Sequence, residues 1–345
     1  MATRTSLKSV SHRTVFDWQS PRAYLVQLAL ILVALGAGAC SPGFDDITDI
    51  KDLRVIGVQA SPPQLLINLT PDQLISAVTE FRPPTVVDQA VDFSVTMLIV
   101  DPREGADQVK VTLEACVLGG DKRCRDDLPS VQIADKWVPL GESTFVGTLT
   151  PELINAAMEY DAIKGVFGAA IWLNGEVTDG VTTEAFLKTF IVMPDYTGQQ
   201  EQNTNPTFDV LMGDEDAEVP LELNADGMLD VKAGEKVRLL PVIPEDQHQK
   251  FVVFTFTQDQ ENPTGNIEEK TEEMTLRYFA SCGSLSTDFK SEQVVIFWEK
   301  GDPDEDKDLS VEWSAPKEPQ ECIIWMLLED GRGGTNWLEL PVSVI

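Results

Sequence analysis

Short apolar runs rich in Val, Ile, Phe and Thr recur along this chain between turns of Gly, Pro and Asp, and apolar positions at helical spacing are scarce. That pattern predicts an all-β protein. Over 90–97, Val91, Phe93, Val95 and Met97 fall on one face and polar groups on the other, as a half-buried antiparallel strand requires. The same reading places strands at 53–60, 91–100, 109–116, 145–149, 166–173 and 184–192. Thr150, Pro151 and Glu152 supply an N-cap, a first-turn proline and a first-turn acid, which predicts a short helix to about Tyr160. A second short helix is expected over 72–80.

The stretch 193–206 is polar, rich in Gln and Asn and bounded by prolines, and reads as an interdomain linker. Beyond it, strands are expected at 207–212, 237–242, 251–257, 275–281, 294–298, 309–313, 322–328 and 336–345. The last two form the firmest hairpin, because the glycines of Asp330-Gly331-Arg332-Gly333-Gly334 can take the positive φ a tight turn demands. The organisation expected is therefore a first β-sandwich domain at 51–193, a linker at 194–206 and a second β-sandwich domain at 207–345.

The amino-terminal end has a different character. Arg4, Lys8, Arg13 and Arg22 precede an apolar run over 25–35, and Leu35-Gly36-Ala37-Gly38-Ala39-Cys40 follows. These are the charged, apolar and small-residue regions of a secretory signal. The stretch from Ala23 to Ala39 lies at the short limit of a membrane span, and its last four positions are Gly and Ala. The Ala37-Gly38-Ala39-Cys40 segment resembles a bacterial lipobox. The resemblance implies a signal peptide over 1–39, lipid on Cys40, and a tether over 40–50. Ser41, where Asp would signal inner-membrane retention, resembles the outer-membrane default, so the expected location is the outer membrane, facing periplasm or cell surface.

Removing residues 1–39 leaves 306 residues with 22 basic and 56 acidic side chains, a net charge of −34. Nucleic acid is excluded as a partner, because neutralising phosphates needs clustered Lys and Arg. Such acidity suits solubility in an exposed location, and divalent-cation binding is the sharper alternative. Four cysteines remain besides Cys40. An even number in an exported chain is read as disulfides. Cys116 and Cys124 bracket a Gly-Gly turn and are expected to staple a hairpin, which leaves Cys282 and Cys322 to pair across the second domain. Free thiols or zinc are the alternatives, but the spacing does not suit zinc and His248 is the only histidine after Cys40.

Catalytic motifs are absent. His248 sits in a polar segment with no nucleophile-elbow glycines nearby, and no P-loop is present. With so many acids, a carboxylate pair of the glycosidase type is neither indicated nor removed by spacing. Asp302, Asp304, Asp306 and Asp308 alternate along one acidic loop and are the candidate calcium ligands, with a solvated hairpin tip as the alternative. Asp214 to Asp216 and Asn224 to Gly227 are weaker versions of the same pattern. Trp137, Trp172, Trp298, Trp313, Trp325 and Trp337 are read as core or hairpin residues, with sugar stacking as the alternative.

Tyr278-Phe279-Ala280-Ser281-Cys282-Gly283-Ser284-Leu285, Trp313-Ser314-Ala315-Pro316 and Asp330-Gly331-Arg332-Gly333-Gly334 resemble bacterial immunoglobulin-like domains of the polycystic-kidney-disease type. The wider layout resembles a family of uncharacterised myxobacterial lipoproteins, which open with a strand like Leu53 to Pro63 and carry an Asn-Pro linker like Asn203 to Pro206. The resemblance implies two immunoglobulin-like sandwiches in tandem and supplies no activity. The function expected is a lipid-anchored, non-enzymatic interaction or structural module without a cofactor. Its partners are the membrane, through Cys40, and an envelope or extracellular protein or glycan. A carbohydrate- or peptide-binding lipoprotein and a hydrolase with a carboxylate-only site are the alternatives.

Overall fold

The computed structural model describes residues 48–68, 86–103, 105, 107–119, 123–161, 168–195, 197–198, 200–213, 219–256, 265–292 and 308–345. The lipobox with Cys40, the helix expected over 72–80, the strand expected over 294–298, Trp298, Asp214 to Asp216, and Asp302, Asp304 and Asp306 lie outside them. Residues 47–345 form a single compact unit.

The first half of that unit is two stacked sheets. One is ordered β1 (Arg54–Ser61), β3 (Val91–Val100), β6 (Gly141–Leu149), all antiparallel. The other is ordered β2 (Gln64–Asn68), β8 (Thr183–Asp195), β7 (Ala169–Thr178), β4 (Gln108–Cys116), β5 (Val131–Pro139), with β2 parallel to β8 at its edge. The alternation read in β3 is observed: Phe93, Val95, Met97 and Ile99 point into a core with Leu113, Ile171 and Phe190. Helix α1 (Pro151–Tyr160) packs against β7 and the core. Thr150 Oγ1 accepts from Leu153 N at 3.3 Å, the bond that an N-cap hydroxyl is placed to make. Leu153, Ile154, Ala157 and Met158 face inward.

The second half repeats the plan. One sheet is ordered β10 (Val219–Pro220), β9 (Asp209–Met212), β12 (Lys236–Val242), β18 (Val311–Ser314), β16 (Ser284–Leu285). The other is ordered β11 (Leu229–Val231), β20 (Thr335–Val344), β19 (Gln320–Glu329), β15 (Thr275–Ala280), β17 (Phe289–Ser291), with β11 parallel to β20. A separate hairpin, β13 (Lys250–Phe256) with β14 (Gly265–Thr271), rises between β12 and β15. The core holds Leu239, Leu276, Tyr278, Trp313 and Met326.

This topology is immunoglobulin-like in both halves. Strands β9, β12, β18 and β16 follow the A-B-E-D order of such domains, and β15, β19 and β20 supply C, F and G. In the first sandwich β1, β3 and β6 are A, B and E, while β4, β7 and β8 are C, F and G. The motifs that carried the resemblance are packing devices. Gly283 has φ +77°, and a Cβ there would lie 2.5 Å from Ser314 O and 2.6 Å from Trp313 Nε1. Glycine is therefore required beneath the buried indole. The indole Nε1 donates to Cys282 O at 2.9 Å, satisfying its one polar atom. Cys282 is bonded to Cys322 and Cys116 to Cys124, as the cysteine count predicts. The Cys282–Cys322 bond links neighbouring strands of one sheet, at the ends of β15 and β19, whereas antibody domains bridge the two sheets.

Candidate functional site at the seam between the sandwiches

Two strands carry apolar runs too continuous for a half-buried strand. In β3 the alternation ends at Met97, and Leu98, Ile99 and Val100 follow; β19 reads Cys322-Ile323-Ile324-Trp325-Met326-Leu327-Leu328. Such runs mark strands covered on both faces. In β19, Cys322, Ile324, Met326 and Leu328 face the sandwich core, and Ile323, Trp325 and Leu327 face outward. Their cover is the first sandwich. Ile56 of β1, Leu98 of β3, Trp325 and Ile50 form a separate buried cluster, with Val100, Phe279, Ile323 and Trp337 packed around it. At Gly57 a Cβ would stand 2.8 Å from both Leu327 Cδ1 and Trp337 Cε3, so the β1 backbone lies directly on the second sandwich's side chains. Thr48 and Ile50, in the stretch expected as tether, are buried here: Ala280 N donates to Thr48 O at 2.8 Å and Ile50 N to Ala280 O at 2.9 Å.

At the other end the seam is polar. The turn between β19 and β20 is the Asp330 to Gly334 segment, with φ +72° at Gly331 and +104° at Gly333. Asp330 Oδ1 accepts from Arg332 N and Gly334 N, each at 2.8 Å, and Asp330 Oδ2 accepts from Asn203 Nδ2 at 3.0 Å. Arg332 Nη1 donates to Glu272 Oε1 at 2.7 Å and Nη2 to Gln64 Oε1 at 2.6 Å. The same guanidinium sits 4.8 Å from the Phe251 ring centre, close enough for a cation–π contact. Gln64 belongs to the first sandwich and Glu272 to the second, so this arginine spans the seam. Asn205 adds a second bridge: its Nδ2 donates to Ala60 O and its Oδ1 accepts from Thr335 N, both at 2.9 Å. Gln202 Nε2 donates to Gln64 O. Residues 202–205, within the stretch read as linker, are thus fastened to both sandwiches.

The electrostatics of this hub follow from its burial. Gln64, Asn203, Glu272, Asp330, Arg332 and Thr335 are all buried. Loss of water, then the negative charge of Asp330, pushes the Glu272 carboxyl up to about 7, although Arg332 pulls it down. Burial lowers the Lys188 ammonium, against the pull of Glu329 3.5 Å away and of Asp330; its Nζ donates to Thr335 Oγ1. Arg332 Nε has no hydrogen-bond partner among the described residues.

Glu272 and Asp330 are a buried carboxylate pair, one of them raised, which is the signature a carboxylate-only hydrolase would present. Their surroundings speak against that chemistry. Backbone N–H groups, Asn203 and Arg332 hold the oxygens of both, and neither lines the seam cavity beside Trp325 or the one beside Lys188, both lined by described residues. A general acid must reach its substrate.

The remaining candidates are scattered. His248 Nε2 lies 2.8 and 3.1 Å from the two Glu292 oxygens, and the side chain makes no other hydrogen bond among the described residues. The Asp308 carboxylate is occupied: Oδ1 accepts from Ser310 N at 2.9 Å and Arg238 Nη2 at 3.3 Å, with Lys290 3.9 Å from Oδ2. Burial raises its pKa, but the Ser310 bonds and the two cations outweigh that and hold it below the ordinary value. Glu114 lies beside Cys116 and Cys124, but both sulfurs are consumed in the disulfide. Asn224 Oδ1 accepts from Asp226 N and Met228 N, each at 3.0 Å, a turn-closing role. Of the tryptophans, Trp313 and Trp325 are buried, Trp172 and Trp337 half-buried, and Trp137 is 55% exposed.

No family model and no curated protein matches the chain. Among solved structures it is similar to the Yersinia pseudotuberculosis adhesin InvE, at 10% identity over 83% of this chain and 58% of that one, with a TM-score of 0.19. A marsupial T cell receptor (9% identity, 84% of this chain, 100% of that one, TM-score 0.23) and a chimeric titin Z1Z2 tandem (9%, 85%, 99%, 0.22) are further likenesses. The chain thus spans little more than half of the adhesin structure. No helix among the described residues is long and apolar enough to cross a membrane.

Proposed function

We propose that this chain is an exported, lipid-anchored envelope protein in which two immunoglobulin-like sandwiches, spanning 51–193 and 207–345 and joined by 194–206, act as a non-enzymatic interaction or structural module. The observation that carries the reading is the seam. Apolar packing at one end and a cross-linked polar hub at the other hold the sandwiches as one body, a plan suited to presenting a fixed surface. The buried titratable groups at the seam are spent on the junction. Two disulfides support an oxidising compartment. The lipobox supports attachment through Cys40 at the outer membrane, where the several acyl chains of a lipoprotein give stable anchoring.

The test is fractionation of cells expressing Cys40→Ala beside the unaltered chain, with intact mass of the membrane-purified protein. The substitution is expected to move the protein from membrane to soluble fractions, and the unaltered chain to carry acyl mass on Cys40. Persistent membrane association of the variant would overturn the anchoring.

A further inference from the structure

Where the seam opens beside Trp325 it leaves a cavity of about 560 Å³. That is within the range of ligand pockets, and such pockets favour domain interfaces. Its floor is the outward face of β19 and β20. The register sets Trp325 opposite Glu339, Ile323 opposite Pro341 and Glu321 opposite Ser343, so an apolar strip of Trp325, Ile323 and Pro341 has a carboxylate at each end. Val100 and Leu140 of the first sandwich form the facing wall.

The two carboxylates are unneutralised. Glu321 and Glu339 are exposed, and neither has an ion-pair partner among the described residues; Glu339 Oε2 accepts only the Trp325 indole N–H, at 2.9 Å. The third acid of the cavity, Asp101, is consumed: its Oδ1 accepts from Arg103 N at 3.1 Å and Arg103 Nε at 2.8 Å. Glu321 and Glu339 stand four positions apart in register, about 13 Å along the strand. In an extended peptide, residues i, i+2 and i+4 share a face and span that same distance.

We propose that this cavity binds an extended segment of a partner protein in the pattern basic-x-apolar-x-basic. The two cations meet Glu321 and Glu339 and the apolar side chain lies over Ile323. The assignment rests on the interaction-module reading and names its ligand chemistry. Charge complementarity carries it: the cavity has two carboxylates without an ion-pair partner and no cation among its described lining residues, on a mature chain of net charge −34.

The test uses the purified mature chain and three probes at physiological ionic strength: acetyl-Lys-Ser-Leu-Ser-Lys-amide, the same peptide with Ser for Leu, and the same peptide with Glu for both Lys. Calorimetric titration is expected to show the first peptide binding roughly tenfold more tightly than either control. The Glu321→Gln, Glu339→Gln double variant is expected to lose about tenfold in affinity for it while melting at the same temperature, since both side chains are exposed. Equal affinity for the Leu and Ser peptides would reduce the effect to bulk charge and overturn the proposal, as would an unaffected double variant or no binding at all. Lipid plays no part in this titration, so its failure is separable from that of the Cys40 experiment.

Discussion

The two ends of the seam join the same pair of sandwiches by opposite physical means. At one end Ile50, Ile56, Leu98 and Trp325 are buried together, and the one side-chain hydrogen bond they make among the described residues is the indole N–H to Glu339. At the other, Arg332, Glu272, Asp330, Gln64 and Asn203 are buried in a web of directional hydrogen bonds. Apolar burial is non-directional and scales with area, so it supplies adhesion and tolerates sliding. Buried ions lose hydration that their mutual attraction roughly restores, so they add little net stability, yet separating them is expensive. The apolar end makes the sandwiches adhere, and the polar end fixes where they stop.

Three substitutions or conditions test that division, in order of expected effect. Trp325→Ala removes the largest buried side chain of the apolar end and is expected to destabilise the chain by about 3–5 kcal/mol, read from urea unfolding; a loss under about 1 kcal/mol would mean the seam contributes little to the cooperative unit. Arg332→Met leaves the buried Glu272 without its cation and is expected to cost about 3 kcal/mol. Adding Glu272→Leu to it should recover most of that loss. If the two losses simply add, the ion pair is not the coupling element at that end.

The smallest effect is on pH dependence. Glu272 holds its proton up to about pH 7 when folded, against an ordinary 4.5, so between those values the folded chain keeps a proton that the unfolded chain has released. Its stabilising contribution is complete below pH 4.5 and is lost as pH rises to about 7. Wild type should therefore lose stability relative to Glu272→Gln between about pH 5 and pH 8. A difference that is the same at both pH values would sink this account of the hub.

Much of the fold is legible in the residues. The alternation of β3, the capped helix α1, the β19–β20 hairpin and both cysteine pairs follow from local rules of spacing and turn chemistry, and all are observed. The strands that the pattern does not show, such as β2, β11, β16 and β17, are short edges of two to five residues, too brief to display a period. Strand β5 escapes for another reason: its alternation is weak, with Asp135, Lys136 and Trp137 all exposed in succession.

The seam is legible only in part. Leu98 breaks the β3 alternation and the Ile323 to Leu328 run lacks one, a signal that both strands are covered twice, but nothing local says by what. Trp325 reads as a buried residue, and what buries it is the other sandwich. The Asp330 to Gly334 segment reads as a turn and is one. Its second role, carrying a buried cation to Gln64 on a strand 268 positions away, leaves no trace in the sequence pattern.

The sequence by itself determined the class of structure, the Cys116–Cys124 staple and the β19–β20 turn, because period, spacing and turn geometry act over a few positions. Only the tertiary structure decided that the two sandwiches share a buried face, that Thr48 to Ile50 and residues 202–205 are fastened to it, and that two carboxylates with no ion-pair partner among the described residues flank an apolar floor at its mouth. Those facts depend on residues far apart in the chain meeting in space, and the free energy that brings them together comes from area removed from water, which no short window of sequence contains.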